Sequence, residues 1–187
     1  YLRGAFLPHV RVTDEGDLSR ESLEMAELFG MPCTLLHKPS TFDTTTLNYN
    51  WQVWNTHAFS LFTKATGSID EASARQAEDG IVRFLARVGA VREEALPACA
   101  ETEAGEPARI EESSLSNVRS ERTGGLFVPL VGPGECVVRG QALAEVRDTF
   151  DGCVRDMLHS PIDGRVFFSR TAPLANQYSI AFKIAPQ

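Results

Sequence analysis

Few side chains in this chain could act on a small molecule. Arg11, in Leu7-Pro8-His9-Val10-Arg11, carries a guanidinium fork that matches a carboxylate bidentately; the competing use is a solvated surface arginine. His9 stands two residues before it and could help hold the same substrate. His57 precedes the apolar run Ala58-Phe59-Ser60-Leu61-Phe62-Thr63. An imidazole there could move a proton or orient a substrate, or simply be hydrogen-bonded. Asn48 and Asn50 lie in a Ser/Thr/Asn-rich stretch over 38–50, the kind of loop that carries binding groups, and both also suit turns. Trp51 and Trp54 follow at once; they could line a pocket for an apolar acyl group, but core packing is the expectation adopted. His159, beside Pro161, could reach a site from the last segment. No metal ligand set is visible. The residues three positions after the four histidines are Val12, Ser40, Ser60 and Ile162, so no His-x-x-Glu exists, and no two of the four cysteines form a CxxC pair.

The elements that must position these groups follow from pattern. Asp17 or Ser19 can cap a helix over 17–29, which Gly30-Met31-Pro32 stops. Cys33-Thr34-Leu35-Leu36 reads as a strand, 38–50 as a loop and Ala58–Thr63 as a strand. Asp70 caps a helix whose apolar stripe is Ala77, Ile81, Phe84, Leu85 and Val88, ended by Gly89. Helix, strand, strand, helix suit the later half of an α/β domain over 1–91. Residues 92–122 hold eight Glu against four Arg and read as a linker with one short strand near Ala108-Arg109-Ile110-Glu111. From 123 to 187, short apolar runs alternate with Gly, Pro and Asp turns, the signature of a small sandwich or barrel.

Composition limits the partners. A net charge of −7 argues against a nucleic-acid binder, whose affinity rests on Lys and Arg. No apolar run of about 18 residues exists to span a membrane. Unpaired cysteines fit reduced thiols in the cytoplasm. The opening Tyr1-Leu2-Arg3-Gly4 lacks Met and a signal-peptide pattern, and the chain is expected to begin inside a longer protein.

Two motifs in the last segment are the most specific. Gly134-Glu135-Cys136-Val137-Val138-Arg139-Gly140-Gln141-Ala142-Leu143 resembles the G-D-x-V-x-x-G-Q-x-L turn of biotinyl/lipoyl domains, and Ser160-Pro161-Ile162-Asp163-Gly164-Arg165-Val166 resembles their S/A-P-x-D-G-x-V turn. A carrier would place a modifiable lysine between them, but Asp148-Thr149-Phe150-Asp151-Gly152-Cys153 has none. Further upstream, Leu7–Arg11 resembles an L-P-x-V-R stretch, Ala26-Glu27-Leu28-Phe29-Gly30 an A-x-x-F-G helix end, and Gly80-Ile81-Val82-Arg83-Phe84-Leu85 with Gly89 a G-I-x-x-x-L-x-x-x-G helix. Together they make the chain similar to the C-terminal portion of the succinylglutamate desuccinylase/aspartoacylase family of zinc-carboxypeptidase-like deacylases.

The resemblance implies a partial zinc-carboxypeptidase-like α/β domain, then a small all-β biotinyl/lipoyl-like domain. It implies hydrolysis of the amide bond of an N-acyl amino acid or similar small amide. Zinc would polarise the acyl carbonyl and a glutamate would move the proton. The zinc ligands fall upstream of Tyr1, so this chain alone is expected to lack metal and activity. The family's catalytic glutamate ends a strand of the type L-T-x-E-x-G, where this chain offers Phe62. Three alternatives follow: a hydrolase whose base comes from elsewhere, a non-catalytic binding or regulatory module on the same scaffold, and a carrier-like or export-adaptor β-domain with an unrelated partner. A homo-oligomer is compatible with each.

Overall fold

A computed structural model describes residues 4–14, 19–64, 69–92 and 107–187. The chain divides into two units. One, the α/β unit, comprises Pro8–Thr63 and Asp70–Ser113; the other, the β unit, comprises Tyr1–Leu7, Lys64–Ile69 and Ser114–Gln187. No described helix is long and apolar enough to cross a membrane.

The strands β1 (Gly4–Phe6) and β2 (His9–Thr13) come first. Helix α1 (Ser19–Glu27), strand β3 (Cys33–His37), helix α2 (Leu47–Val53), strand β4 (Phe59–Phe62) and helix α3 (Glu71–Arg87) follow. Strand β5 (Ala108–Glu111) completes the mixed sheet of the α/β unit, ordered β4-β2-β3-β5. β2, β3 and β5 run parallel and β4 antiparallel to β2. Alternation along β2 divides its side chains between two faces. Val10 and Val12 are fully buried and pack with Ala26, Phe29 and Met31, with Phe59, Leu61 and Phe84 against them. Phe29 stacks on Phe84 with centroids 4.3 Å apart.

Asp70 caps α3, its carboxylate accepting from the Ala72 N–H. The buried positions of α3 are Ser73, Gly80, Arg83 and Ala86, while Ile81 and Val88 are exposed. The apolar stripe expected from sequence is thus rotated. Gly80 faces Phe29 and Met31 at ordinary packing distance, and Arg83 turns inward to donate to the Phe29 carbonyl at 2.8 Å. Other expectations are also corrected. The stretch 38–50 is not all loop: it holds a 3-10 turn at Asp43–Thr45 and most of α2, whose cap is Thr46. Trp51 and Trp54 are not core residues; they are 47% and 80% exposed. Position 17 and residues 93–106, where a helix cap and part of the linker were expected, lie outside the described residues.

Every regular element lying wholly within the β unit is a strand among the described residues: β1, then β6 (Ser116–Arg119), β7 (Gly125–Pro129), β8 (Cys136–Val137), β9 (Ala142–Arg147), β10 (Val154–His159), β11 (Gly164–Arg170), β12 (Leu174–Ala175) and β13 (Ile180–Pro186). They form two sheets, β1-β11-β13-β6 with β8 on β11, and β10-β9-β7-β12. Val118, Phe127, Leu143, Val146, Val166, Phe182 and Ile184 fill the space between. A register shift in β11 between Val166 and Phe168 lets both Phe167 and Phe168 be buried, and Phe6 of β1 packs on Phe168 at 4.8 Å. The unit boundaries differ from the expected 1–91, 92–122 and 123–187: Gly4–Leu7 and Ser116–Arg119 join the β unit because β1 pairs with β11 and β6 with β13. The two motif turns place their glycines differently. Gly134 and Gly140 have φ of 93° and 82°, a region costly for other residues. Gly164 lies in extended β11, where an added Cβ would stand 2.1 Å from the Ala185 carbonyl oxygen.

Candidate functional site

In sheets with parallel strands, ligands gather at the strands' carboxyl ends. At that end of β2, β3 and β5 the α/β unit assembles Arg11, His37, Asp43 and Glu112. Arg11 shares a face of β2 with His9 and Thr13, opposite Val10 and Val12, and its register partners are Leu35 and Ser60. Its Nη2 donates to Asp43 Oδ1 at 3.2 Å, and the side chain is 29% exposed. His37 ends β3; its Nδ1 hydrogen-bonds Glu112, just after β5. Its Nε2 lies 3.1 Å from Asp43 Oδ2, close enough for charge attraction but not aligned as a hydrogen bond. Asp43 Oδ2 also accepts from the Ser40 backbone N–H at 2.8 Å and hydroxyl at 2.6 Å.

The charges tune one another. The hydrogen bond to Glu112 raises the His37 pKa most; Asp43 adds to this, while burial and Arg11 oppose it. Asp43 is held well below the usual carboxylate range, first by the Ser40 hydroxyl, then by the Ser40 N–H and His37. An imidazole of raised pKa with a carboxylate at each ring nitrogen forms an electrostatic clasp. It ties the 38–46 segment and the residue after β5 to the sheet.

The other sequence candidates go elsewhere. His9 is 2% exposed and its ring stacks on Phe62 at 4.8 Å and 1° between planes. Asn50 donates to the carbonyls of Thr44 and Thr46, bracing the start of α2, and Asn48 donates to the Ser60 hydroxyl. His57 Nδ1 lies 2.8 Å from Ser22 Oγ, and its Nε2 lies 3.7 Å from Glu21. That order looks like a nucleophile, base and acid, but Ser22 is fully buried and no carbonyl can reach its hydroxyl. His159 lines a cavity of about 520 Å³ between β6 and β10, with Arg119, Arg122, Asp156 and Met157. Sequence reading found Arg11 and missed His37, Asp43 and Glu112. His37, last in a short apolar run before Pro39, was the available signal.

Zinc finds no seat among the described residues: no three His, Cys, Asp or Glu are arranged to hold a metal ion. The clasp shows why, since Asp43 and Glu112 approach opposite ring nitrogens of His37 and do not converge on one point.

The chain matches a product-bound ectoine utilization protein EutE (DoeB) from Ruegeria pomeroyi at TM-score 0.76 and 16% identity, covering 98% of this chain and 54% of that one. It matches a succinylglutamate desuccinylase/aspartoacylase from Rhodobacter sphaeroides at TM-score 0.77 and 19% identity, covering 99% and 55%. A succinylglutamate desuccinylase from Silicibacter gives TM-score 0.75 and 15% identity, covering 97% and 54%. The chain has the fold found in these proteins and spans about half their length. No protein-family model and no curated protein matches it.

Proposed function

We propose that the chain is the C-terminal portion of a deacylase that hydrolyses the amide bond of an N-acyl amino acid or similar small amide in the cytoplasm. The observation carrying this reading is that nearly the whole chain, both units together, follows structures whose names include desuccinylase and aspartoacylase. Arg11 supplies the carboxylate anchor. Asp43 engages only one of its nitrogens, and the side chain's partial exposure leaves the fork open to a substrate carboxylate. On this reading zinc is held by residues of the longer protein. The β unit is read as biotinyl/lipoyl-like: the β9–β10 hairpin carries Asp148–Cys153 at its turn, where a carrier presents lysine.

A second reading, a binding or regulatory module without catalysis, is favoured by one observation. Phe62 stands where the resemblance expects a carboxylate, and its ring is stacked flat on His9. One experiment separates the two. The protein is expressed from its gene's own start, its zinc content is measured, and hydrolysis and binding of N-acetyl and N-succinyl amino acids are assayed. One zinc per chain with turnover supports the deacylase. Binding weakened by Arg11→Met, without turnover, supports the module. Neither turnover nor binding overturns both.

A further inference from the structure

An antiparallel sheet with one buried face alternates apolar-in with polar-out. The β10-β9-β7-β12 sheet departs from that rule. Phe127, Ala144, Val146 and Leu158 point into the core. The opposite face should be polar, yet register sets Leu174, Leu126, Arg147 and Val154 in one cross-strand row and Val128, Glu145 and Met157 in the next. Leu130 follows along β7. Leu126, Val128, Leu130, Val154 and Leu174 are between 36% and 54% exposed. Only Glu145 and Arg147 are charged among these residues, and they pair with each other at 2.6 Å. Contiguous apolar surface of this kind marks a contact site.

The charge pattern identifies the occupant. The face is neutral overall and carries one acid beside one base, flanked on both sides by apolar residues. A two-fold axis lying in the plane of the contact, perpendicular to β9 and midway between Glu145 and Arg147, sets each over its opposite in a second copy, making a ring of four alternating charges. Such self-complementarity is what an isologous contact requires, and twisted sheets pack face to face at small angles. We infer that two copies of the chain associate through this face. The inference does not depend on the deacylase reading.

Sedimentation velocity over two decades of concentration tests it. The unaltered chain is expected to show twice the monomer mass. Glu145→Arg and Arg147→Glu should each weaken self-association at least about tenfold, a change of roughly 1.4 kcal/mol, since each sets like charges in contact. An equimolar mixture of the two variants should recover the dimer, because each then meets its complement. Two misfolded chains would not produce that recovery. Val128→Lys should also be monomeric. A monomeric unaltered chain, charge variants that dimerise normally, or a mixture that stays monomeric would overturn the inference.

Discussion

Replacing His37 by alanine tests the clasp at the carboxyl end of the parallel strands. The side chain is 12% exposed, so solvent screens its contacts little. The variant loses a charge-assisted hydrogen bond to Glu112, worth about 1.5–3 kcal/mol, and the attraction of Asp43, which keeps Arg11 and Ser40. A total loss of about 2–4 kcal/mol near pH 6 follows, allowing for some unpaired charge on Glu112. The sign with pH is fixed by the raised His37 pKa. A raised folded-state value stabilises fully below the unfolded value of about 6.5 and is lost as pH climbs through the folded one. The cost of His37→Ala should therefore be smaller at pH 9 than at pH 6. Asp43, with its lowered pKa, behaves oppositely: its contribution is present above about pH 4 and fades only in stronger acid. Urea titrations followed by far-UV circular dichroism provide the assay, because the described helices α1, α2 and α3 all lie in this unit. A loss below about 0.5 kcal/mol, the range of a neutral surface change, or one equal at both pH values, would refute the clasp.

Trp51 and Trp54 should emit at long wavelength and be readily quenched by acrylamide, and Trp54→Ser should change stability by no more than about 0.5 kcal/mol; blue-shifted, protected emission would contradict their exposure. Gly164→Ala should destabilise the β unit by about 1–3 kcal/mol through overpacking against the Ala185 carbonyl, seen as faster hydrogen exchange in β11 and β13 but not in β2 or β3. Arg83→Leu should cost about 1–3 kcal/mol by leaving the Phe29 carbonyl without its donor, measured in the same urea titration.

Strand and helix positions were most legible where periodicity and caps agreed. Asp70 and Gly89 bracket α3 as the sequence suggested, and the short strand at Ala108–Glu111 pairs with β3. Which face of α3 would be buried was not legible, because its buried positions include Ser73, Gly80 and Arg83, and hydropathy does not register the inward hydrogen bond of Arg83. Helix α2 was hidden by a run of Ser, Thr and Asn that reads as loop, although Thr46 is a regular N-cap. In strand β10, Arg155 and Asp156 interrupt the apolar pattern that marks a strand in sequence. Of the candidate site, Arg11 stood out by chemistry, whereas His37, Asp43 and Glu112 are brought together only by parallel pairing of β2, β3 and β5, and no local pattern encodes that juxtaposition.

The pairing of β1 with β11 has a consequence for how the protein is made and cut. Gly4 meets Arg170, so a strand made before the α/β unit's segments waits for one made after them. The chain passes from one unit to the other at 7/8, 63/64, 69/70 and 113/114, and neither unit is a continuous stretch that could be excised or transplanted. A fragment beginning at 123 leaves β13 without β6 and β11 without β1, opening strand edges that recruit foreign strands. On the ribosome the α/β unit's segments emerge before β11, and Gly4–Phe6 stays unpaired until β11 has been made.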